Sequence, residues 1–176
     1  MKTQIHYLSL ETPLKQILVC ASATGILLLE FVDDKKTEEM LKTVEGYHTS
    51  TFVNEANDPI LVLKKELVLY FEGKLKTFTV PIELMGTAFQ KTVWNHLLTI
   101  SFGKTITYKQ QSMQMNSPLA IRAIASANGR NRIAIVIPCH RVIGSNQTLT
   151  GYSGGLWRKQ FLLNLEEDKV MNPELF

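Results

Sequence analysis

Acidic side chains are missing from nearly half of this 176-residue sequence: no Asp or Glu occurs between Leu84 and Leu165. Nine cations fall in that stretch, namely Lys91, Lys104, Lys109, Arg122, Arg130, Arg132, Arg141, Arg158 and Lys159. Cations without counter-charges repel one another, and an anionic partner such as a nucleic-acid backbone relieves the repulsion. Cysteine is scarce too. Cys20 and Cys139 are the whole complement, too few for a disulfide framework or a four-thiolate zinc site. No apolar run nears the ~20 residues that span a bilayer; the candidate around Ile26 to Leu29 is strand-sized. The opening Met1-Lys2-Thr3-Gln4-Ile5-His6 has no apolar leader core. His6, His48 and His96 have no ligand set beside them, so no metal is expected. These absences point to a cytoplasmic protein in a reducing compartment, with no membrane partner.

What is present is ordinary globular usage, 45% hydrophobic and 20% charged, but unevenly distributed. Residues 1–85 hold nine lysines against twelve acids, and residues 86–176 hold ten cations against four acids, so a net −3 is followed by +6. The composition changes near Thr79 to Gly86, dividing the chain into expected domains at 1–80 and 81–176. In the first, Gln16 to Ala21 and Ile26 to Val32 are β-branched-rich runs around Ser22-Ala23-Thr24-Gly25 and read as a hairpin. A weak helix is expected from Lys36 to Val44. Asn57-Asp58-Pro59 opens a stronger one that ends before Gly73.

The second part reads as mostly helical. Thr87-Ala88-Phe89-Gln90 is a capping box, followed by Phe89, Val93, Trp94, Leu97 and Leu98 at helical spacing. Thr107-Tyr108-Lys109-Gln110 is a second box, starting a helix through Met115 with Asn116 in the turn. Ser117-Pro118 is expected to cap a third helix from Leu119 to Ala127, giving a helix-turn-helix outline with Arg122 near its second helix's start. Ile133 to Ile137 reads as a strand buried on both faces, stopped by Pro138. A final helix is expected from Leu156 to Glu167.

Cys139 lies where that strand breaks, beside His140 and Arg141 in the acid-free segment, surroundings expected to favour a thiolate. Neighbours in an extended strand point to opposite faces, so His140 would reach the sulfur through a water. A histidine base needs its other nitrogen oriented, usually by a carboxylate. Glu166 is the first acid after Leu84; Glu167 is the alternative, and one helical step of about 100° separates them. A lone Cys–His pair also fits a buried structural thiol, and Cys20, inside its strand, is read that way.

Pro138-Cys139-His140-Arg141-Val142 resembles the active-site signature of the O6-alkylguanine-DNA alkyltransferases, the methylated-DNA–protein-cysteine methyltransferases. Gly86-Thr87-x-Phe89-Gln90-x-x-Val93-Trp94, Thr107-Tyr108, Arg122-Ala123, Asn131, Ile143-Gly144 and Gly151-Tyr152-Ser153-Gly154-Gly155 follow the family's pattern in order, continued by Lys159 and Leu162-Leu163 with Glu166. The likeness covers about residues 70–168. It implies an α+β fold: a ribonuclease-H-like α/β domain, then a mostly helical, winged helix-turn-helix-like domain that binds DNA and holds the alkyl acceptor.

The resemblance further implies repair of O6-alkylguanine, and less readily O4-alkylthymine, in double-stranded DNA by a monomer that needs no cofactor. The alkyl group would pass irreversibly to Cys139, once per molecule. His140 would be the base and Glu166 the carboxylate that holds it. Tyr108 would give a proton to the departing guanine, and Asn131 would order the turn before the acceptor. Arg122 would replace the flipped nucleotide in the stack from the minor groove, with Thr107, Ser117, Ala123 and Arg130 also at the DNA. Val142, Tyr152, Ser153 and Tyr108 would line the base pocket. Flipping is a physical necessity, because the alkyl carbon is closed to in-line attack inside a duplex. The helix from Lys109 to Met115 departs from the family in reading Gln-Gln-Ser-Met-Gln-Met where small Ala residues are usual, and Asn116 stands where Gly is common. Three other readings remain: a lesion-binding relative that does not transfer, a cysteine hydrolase, and a silent DNA-binding domain.

Overall fold

In a computed structural model, which describes residues 2–33, 37–146 and 148–167, the chain divides into two compact units, one running to Met85 and the other starting at Gly86. The first unit is a four-stranded sheet in the order β3-β2-β1-β4, with β1 Thr3–Thr12, β2 Lys15–Ala21, β3 Ile26–Phe31 and β4 Ser50–Val53. Strands β1, β2 and β3 form an antiparallel meander, and β4 runs parallel to β1. The expected hairpin is therefore its β2–β3 half. Strands β1 and β4 escaped the sequence reading because their apolar positions are short or out of step: Ile5 and Leu10 of β1 are buried on opposite phases of the alternation.

Helix α1 spans Thr37–Glu45, and α2 spans Asp58–Phe71. Lys36, where the first helix was expected to start, lies outside the described residues. Asn57 caps α2 as its sequence dictates, accepting from the Ile60 N–H at 3.3 Å, with Pro59 in the first turn. The segment after α2 stays with the first unit past residue 80. The buried Glu66 carboxylate accepts the Thr79 and Val80 N–H groups at 2.9 and 3.1 Å, and Ile26 N–H donates to the Pro81 carbonyl at 2.8 Å.

The second unit holds α3 Ala88–Leu97, a two-residue strand β5 Ile106–Thr107, α4 Tyr108–Gln114, α5 Ile121–Gly129, a 3-10 turn Cys139–Arg141, β6 Val142–Ile143 and α6 Leu156–Glu166. Both capping boxes form, at Thr87 and Thr107. Val93, Trp94 and Leu97 of α3 are buried, but Phe89 and Leu98, expected on the same face, are 42% and 44% exposed. The Trp94 indole N–H donates to the Ala127 carbonyl at 2.8 Å, fastening α3 to the end of α5. Gly86 is required here, since a Cβ would come within 2.5 Å of the Trp94 ring.

Two expectations in this unit are corrected. Helix α5 begins at Ile121, not Leu119, and no side chain caps it; the Ser117 hydroxyl donates instead to the Met115 carbonyl at 3.3 Å, and Leu119 is fully exposed. Asn116 does take the left-handed turn, at φ 52°. The run Ile133 to Ile137 is buried throughout, yet it is a sequence of tight turns and not a strand. Its backbone groups bond one another, Val136 N–H to Ala134 at 2.8 Å and Ile137 N–H to Ile133 at 3.0 Å. Apolarity foretold burial, but the Asn131 side chain supplies the partners a ladder would have given.

Candidate active site

The acceptor turn is built from Asn131. Its amide oxygen accepts the Ile133 N–H at 2.9 Å, and its amide nitrogen donates to the Ile137 carbonyl at 2.8 Å and to Cys139 Sγ at 3.3 Å. Between these anchors Ile135 is forced to φ 71°, a conformation that a β-branched residue adopts only under constraint. Pro138 follows at φ −83°, ψ 60°, and the Cys139 N–H closes on the Ile137 carbonyl at 2.8 Å, an inverse γ-turn. Cys139, His140 and Arg141 then wind into the 3-10 turn and are all buried. The extended geometry assumed from sequence does not hold there.

His140 is fully buried, and its Nε2 lies 2.9 Å from Glu166 Oε1. Glu166, not Glu167, is the residue that α6 turns inward; Glu167 is exposed. Arg141 grips the same carboxylate, with Nε to Oε2 and Nη2 to Oε1 both at 2.8 Å, and also donates to the Ile100 carbonyl. The Gly103 N–H adds a bond to Oε2 at 3.1 Å. Gly103 sits at φ 70°, where a Cβ would meet the Glu166 carbonyl at 2.8 Å. Burial alone would raise the Glu166 carboxyl, but its bonds and charges from His140 and Arg141 prevail and hold it well below the usual carboxylate range.

An ionised carboxylate only accepts, so His140 Nε2 carries the ring proton and Nδ1 is left with a lone pair. Nδ1 is buried and makes no hydrogen bond to a described residue. Burial lowers the His140 pKa despite the opposing pull of Glu166. A neutral imidazole with a bare inward nitrogen is a base.

The thiol corrects another expectation. Burial pushes the Cys139 pKa up, and this outweighs the Asn131 hydrogen bond and the Lys159 charge, both of which favour the anion. The resting sulfur is a thiol that needs a base. Lys159 itself is buried, its ammonium donating to the Val142 and Thr150 carbonyls at 2.6 and 2.8 Å, and burial lowers its pKa to about 8. It lies 6.0 Å from the Tyr108 ring centroid. The Tyr108 hydroxyl makes only long contacts, 3.4 Å, to the Thr150 and Gly151 carbonyls, and burial raises its pKa. The Tyr152 phenol, more deeply buried, is raised well above its ordinary value.

The structure thus brings Cys139, Asn131, His140 and Glu166 together, with Tyr108, Val142 and Tyr152 around them. Ser153 is exposed nearby in sequence. Arg122, Ala123 and Arg130 are exposed on or just after α5, whereas the Thr107 and Ser117 hydroxyls serve their own backbone. Arg141 and Lys159 were passed over as site residues. The signal for Arg141 was available: it lies in a stretch without acids that runs up to Glu166, and a buried guanidinium there has to share that carboxylate.

Two family models match, the 6-O-methylguanine DNA methyltransferase ribonuclease-like domain over residues 5–84 and the DNA binding domain of the same methyltransferases over residues 88–168. The chain belongs to the methylated-DNA–protein-cysteine methyltransferase family. It is thereby an enzyme of direct-reversal DNA repair. A relative of that name from Methanosarcina barkeri is 41% identical over 94% of this chain and 99% of its own length. The inducible enzyme of Bacillus subtilis is 42% identical over 76% of this chain and 75% of its own. The fold agrees with the crystal structure of Mycobacterium tuberculosis O6-methylguanine methyltransferase, at TM-score 0.81 and 34% identity over 97% of both chains. A crystal structure of the Mycobacterium tuberculosis protein in complex with DNA matches at TM-score 0.79 and 36% identity over 93% of both. Among the described residues no helix is long and apolar enough to cross a membrane.

Proposed function

We propose that this chain repairs O6-alkylguanine, and less readily O4-alkylthymine, in double-stranded DNA by moving the alkyl group irreversibly onto Cys139, once per molecule. It acts as a cytoplasmic monomer. The observation that carries this reading is a buried thiol held by the Asn131 amide beside a histidine whose Nε2 is locked onto an ionised carboxylate.

The base must first leave the stack. Arg122, on the exposed face of α5, takes its place from the minor groove, with Thr107, Ser117, Ala123 and Arg130 along the DNA. The flipped guanine lies among Tyr108, Val142, Tyr152 and Ser153. His140 Nδ1 takes the Cys139 proton through one water, and the imidazolium so formed is stabilised by Glu166. The Asn131 amide and the Lys159 charge support the sulfur anion as it forms. Sulfur attacks the alkyl carbon; the S–C bond forms as the C–O6 bond breaks, and its electron pair stays on the purine. Tyr108, kept protonated by its raised pKa and only weakly engaged, gives the purine its proton, and the proton on His140 returns through water to the phenolate. A thioether has no leaving step under these conditions, so the protein is consumed.

The test is intact mass and peptide mapping after mixing the protein with equimolar duplex containing O6-methylguanine. One methyl group on the peptide holding Cys139, saturating at a single equivalent, is expected. Tight binding without a mass change would replace transfer by lesion binding, and turnover beyond one equivalent would replace it by hydrolysis.

A further inference from the structure

One buried polar pair of the second unit stands outside the proton path. Gln111 of α4 is fully buried and Asn128 of α5 is 4% exposed. Their amides bond reciprocally, Gln111 Nε2 to Asn128 Oδ1 at 3.2 Å and Asn128 Nδ2 to Gln111 Oε1 at 2.7 Å. This is the Gln-rich helix that departs from the family's usual small residues.

Each partner leads to the acceptor. Tyr108 opens α4, and Gln111 follows three residues later, on the same side of the helix. Asn128 lies in the last turn of α5, where its main-chain carbonyl accepts the Asn131 N–H at 3.2 Å. Asn131 in turn holds Cys139 Sγ at 3.3 Å. The neighbouring Ala127 carbonyl is already fixed by Trp94, so the end of α5 is a rigid post to which α4 is tied. An apolar contact at residue 111 would bury as much surface, but dispersion has no direction and would let α4 roll on α5. Two crossed amide bonds fix distance and orientation together, because any shift leaves buried donors and acceptors unpaired.

We propose that the Gln111–Asn128 amide pair is a positioning element for alkyl transfer, setting Tyr108 opposite Cys139 and keeping the Asn131 amide on the sulfur. The proposal rests on Cys139 being the alkyl acceptor. Besides Asn131, the polar groups acting on the sulfur are Tyr108 from α4, Tyr152 and His140 from the turns, and Lys159 from α6, and the test leaves all of them in place.

The variants are Gln111→Leu, the singles Gln111→Asn and Asn128→Gln, and the exchange that combines those two singles. The exchange keeps the summed side-chain length and every donor and acceptor, whereas each single changes the length by one methylene. Three quantities are measured: single-turnover transfer from O6-methylguanine duplex, separated into duplex binding and maximal rate; the rate of Cys139 alkylation by iodoacetamide against pH; and the melting temperature. For Gln111→Leu and both singles the maximal rate is expected to fall about tenfold, a change of about 1.4 kcal/mol in the barrier. Duplex binding stays level, and the alkylation midpoint moves to higher pH. The exchange recovers both properties. A Gln111→Leu protein with the native maximal rate and alkylation profile would overturn the proposal. So would a loss confined to duplex binding, or a folded exchange variant that recovers neither property. Should the native chain transfer nothing, the acceptor reading fails by itself, while the iodoacetamide profiles still decide whether the pair tunes the thiol.

Discussion

Cys20 of the first unit and Cys139 of the second are both buried, yet their surroundings have little in common. Cys20 lies in a cluster of Ile5, Leu18, Leu27, Leu28, Met40 and Val44. Desolvation and the Glu30 charge push its thiol up to about 12, out of reach of any neutral-pH base. Cys139 is buried too, and its thiol is also raised, but Asn131 and Lys159 oppose the rise and a neutral histidine follows it in sequence. The same contrast runs through the two units. Among the described residues, the buried polar ones of the first are Ser22, Glu30 and Glu66, whereas the second buries Gln111, Ser112, Asn128, Asn131, His140, Arg141, Arg158, Lys159 and Glu166. Burial by itself silences a thiol. Reactivity needs polar groups buried with it, each already hydrogen-bonded so that desolvation is offset.

The sharpest break of this contrast comes from the two sulfurs themselves. Cys139→Ala is expected to abolish alkyl transfer while leaving duplex binding intact in a gel shift at fixed salt. Transfer that survives this change would disqualify Cys139 as acceptor. Next is Glu166→Gln, which takes the charge from both His140 and Arg141. Single-turnover transfer should slow by about 10²-fold or more, the usual contribution of positioned acid–base catalysis. Denaturant unfolding should show a loss of roughly 3–5 kcal/mol, the cost of breaking a buried ion pair from one side. An unchanged rate would remove the orienting role from Glu166.

Arg122→Ala tests the exposed face and not the interior. Repair of duplex should weaken about tenfold, as expected for one lost DNA contact of about 1–3 kcal/mol, while reaction with a free O6-alkylguanine base is spared. Equal losses on both substrates would sink the flipping role. The pH dependence of stability is smaller and belongs to the polar interior. His140 has a lowered pKa in the fold, so below its ordinary 6.5 the unfolded chain binds the extra proton and stability declines with acid. Glu166 is also lowered; its contribution is complete above the ordinary 4.5 and is lost as pH falls further. Melting temperature is therefore expected to drop in two stages, the first as pH falls below about 6.5 and the second as it falls below about 4.5, and a profile flat through the first stage would contradict the buried, neutral His140. The least effect is assigned to Cys20→Ala. Transfer should proceed at the native rate, with about 1 kcal/mol of stability lost for the missing buried sulfur, and a slower transfer would show that the apolar unit's thiol is not inert.

Much of the local structure was legible because its causes are local. The capping boxes at Thr87 and Thr107 and the Asn57 cap are satisfied by residues three positions away, so reading the sequence in windows finds them. Strands β1 and β4 were not legible: the buried Ile5 and Leu10 of β1 break the period-two alternation, and β4 is only four residues long, its partner β1 lying far back along the chain. Ile133 to Ile137 misled for a related reason: its apolarity records burial, and nothing in it reveals that the Asn131 amide takes over the hydrogen bonding.

At the site, the sequence by itself set the acid-free basic stretch, the adjacency of Cys139 and His140, and the narrow choice of carboxylates, because composition and order do not depend on folding. Only tertiary structure decided that Glu166 faces His140, that Arg141 and Gly103 share that carboxylate, and that burial raises the Cys139 thiol. The reason is physical. Desolvation and hydrogen-bond geometry belong to a residue's neighbours in space, and for Glu166 those neighbours come from residues 63, 25 and 26 positions away.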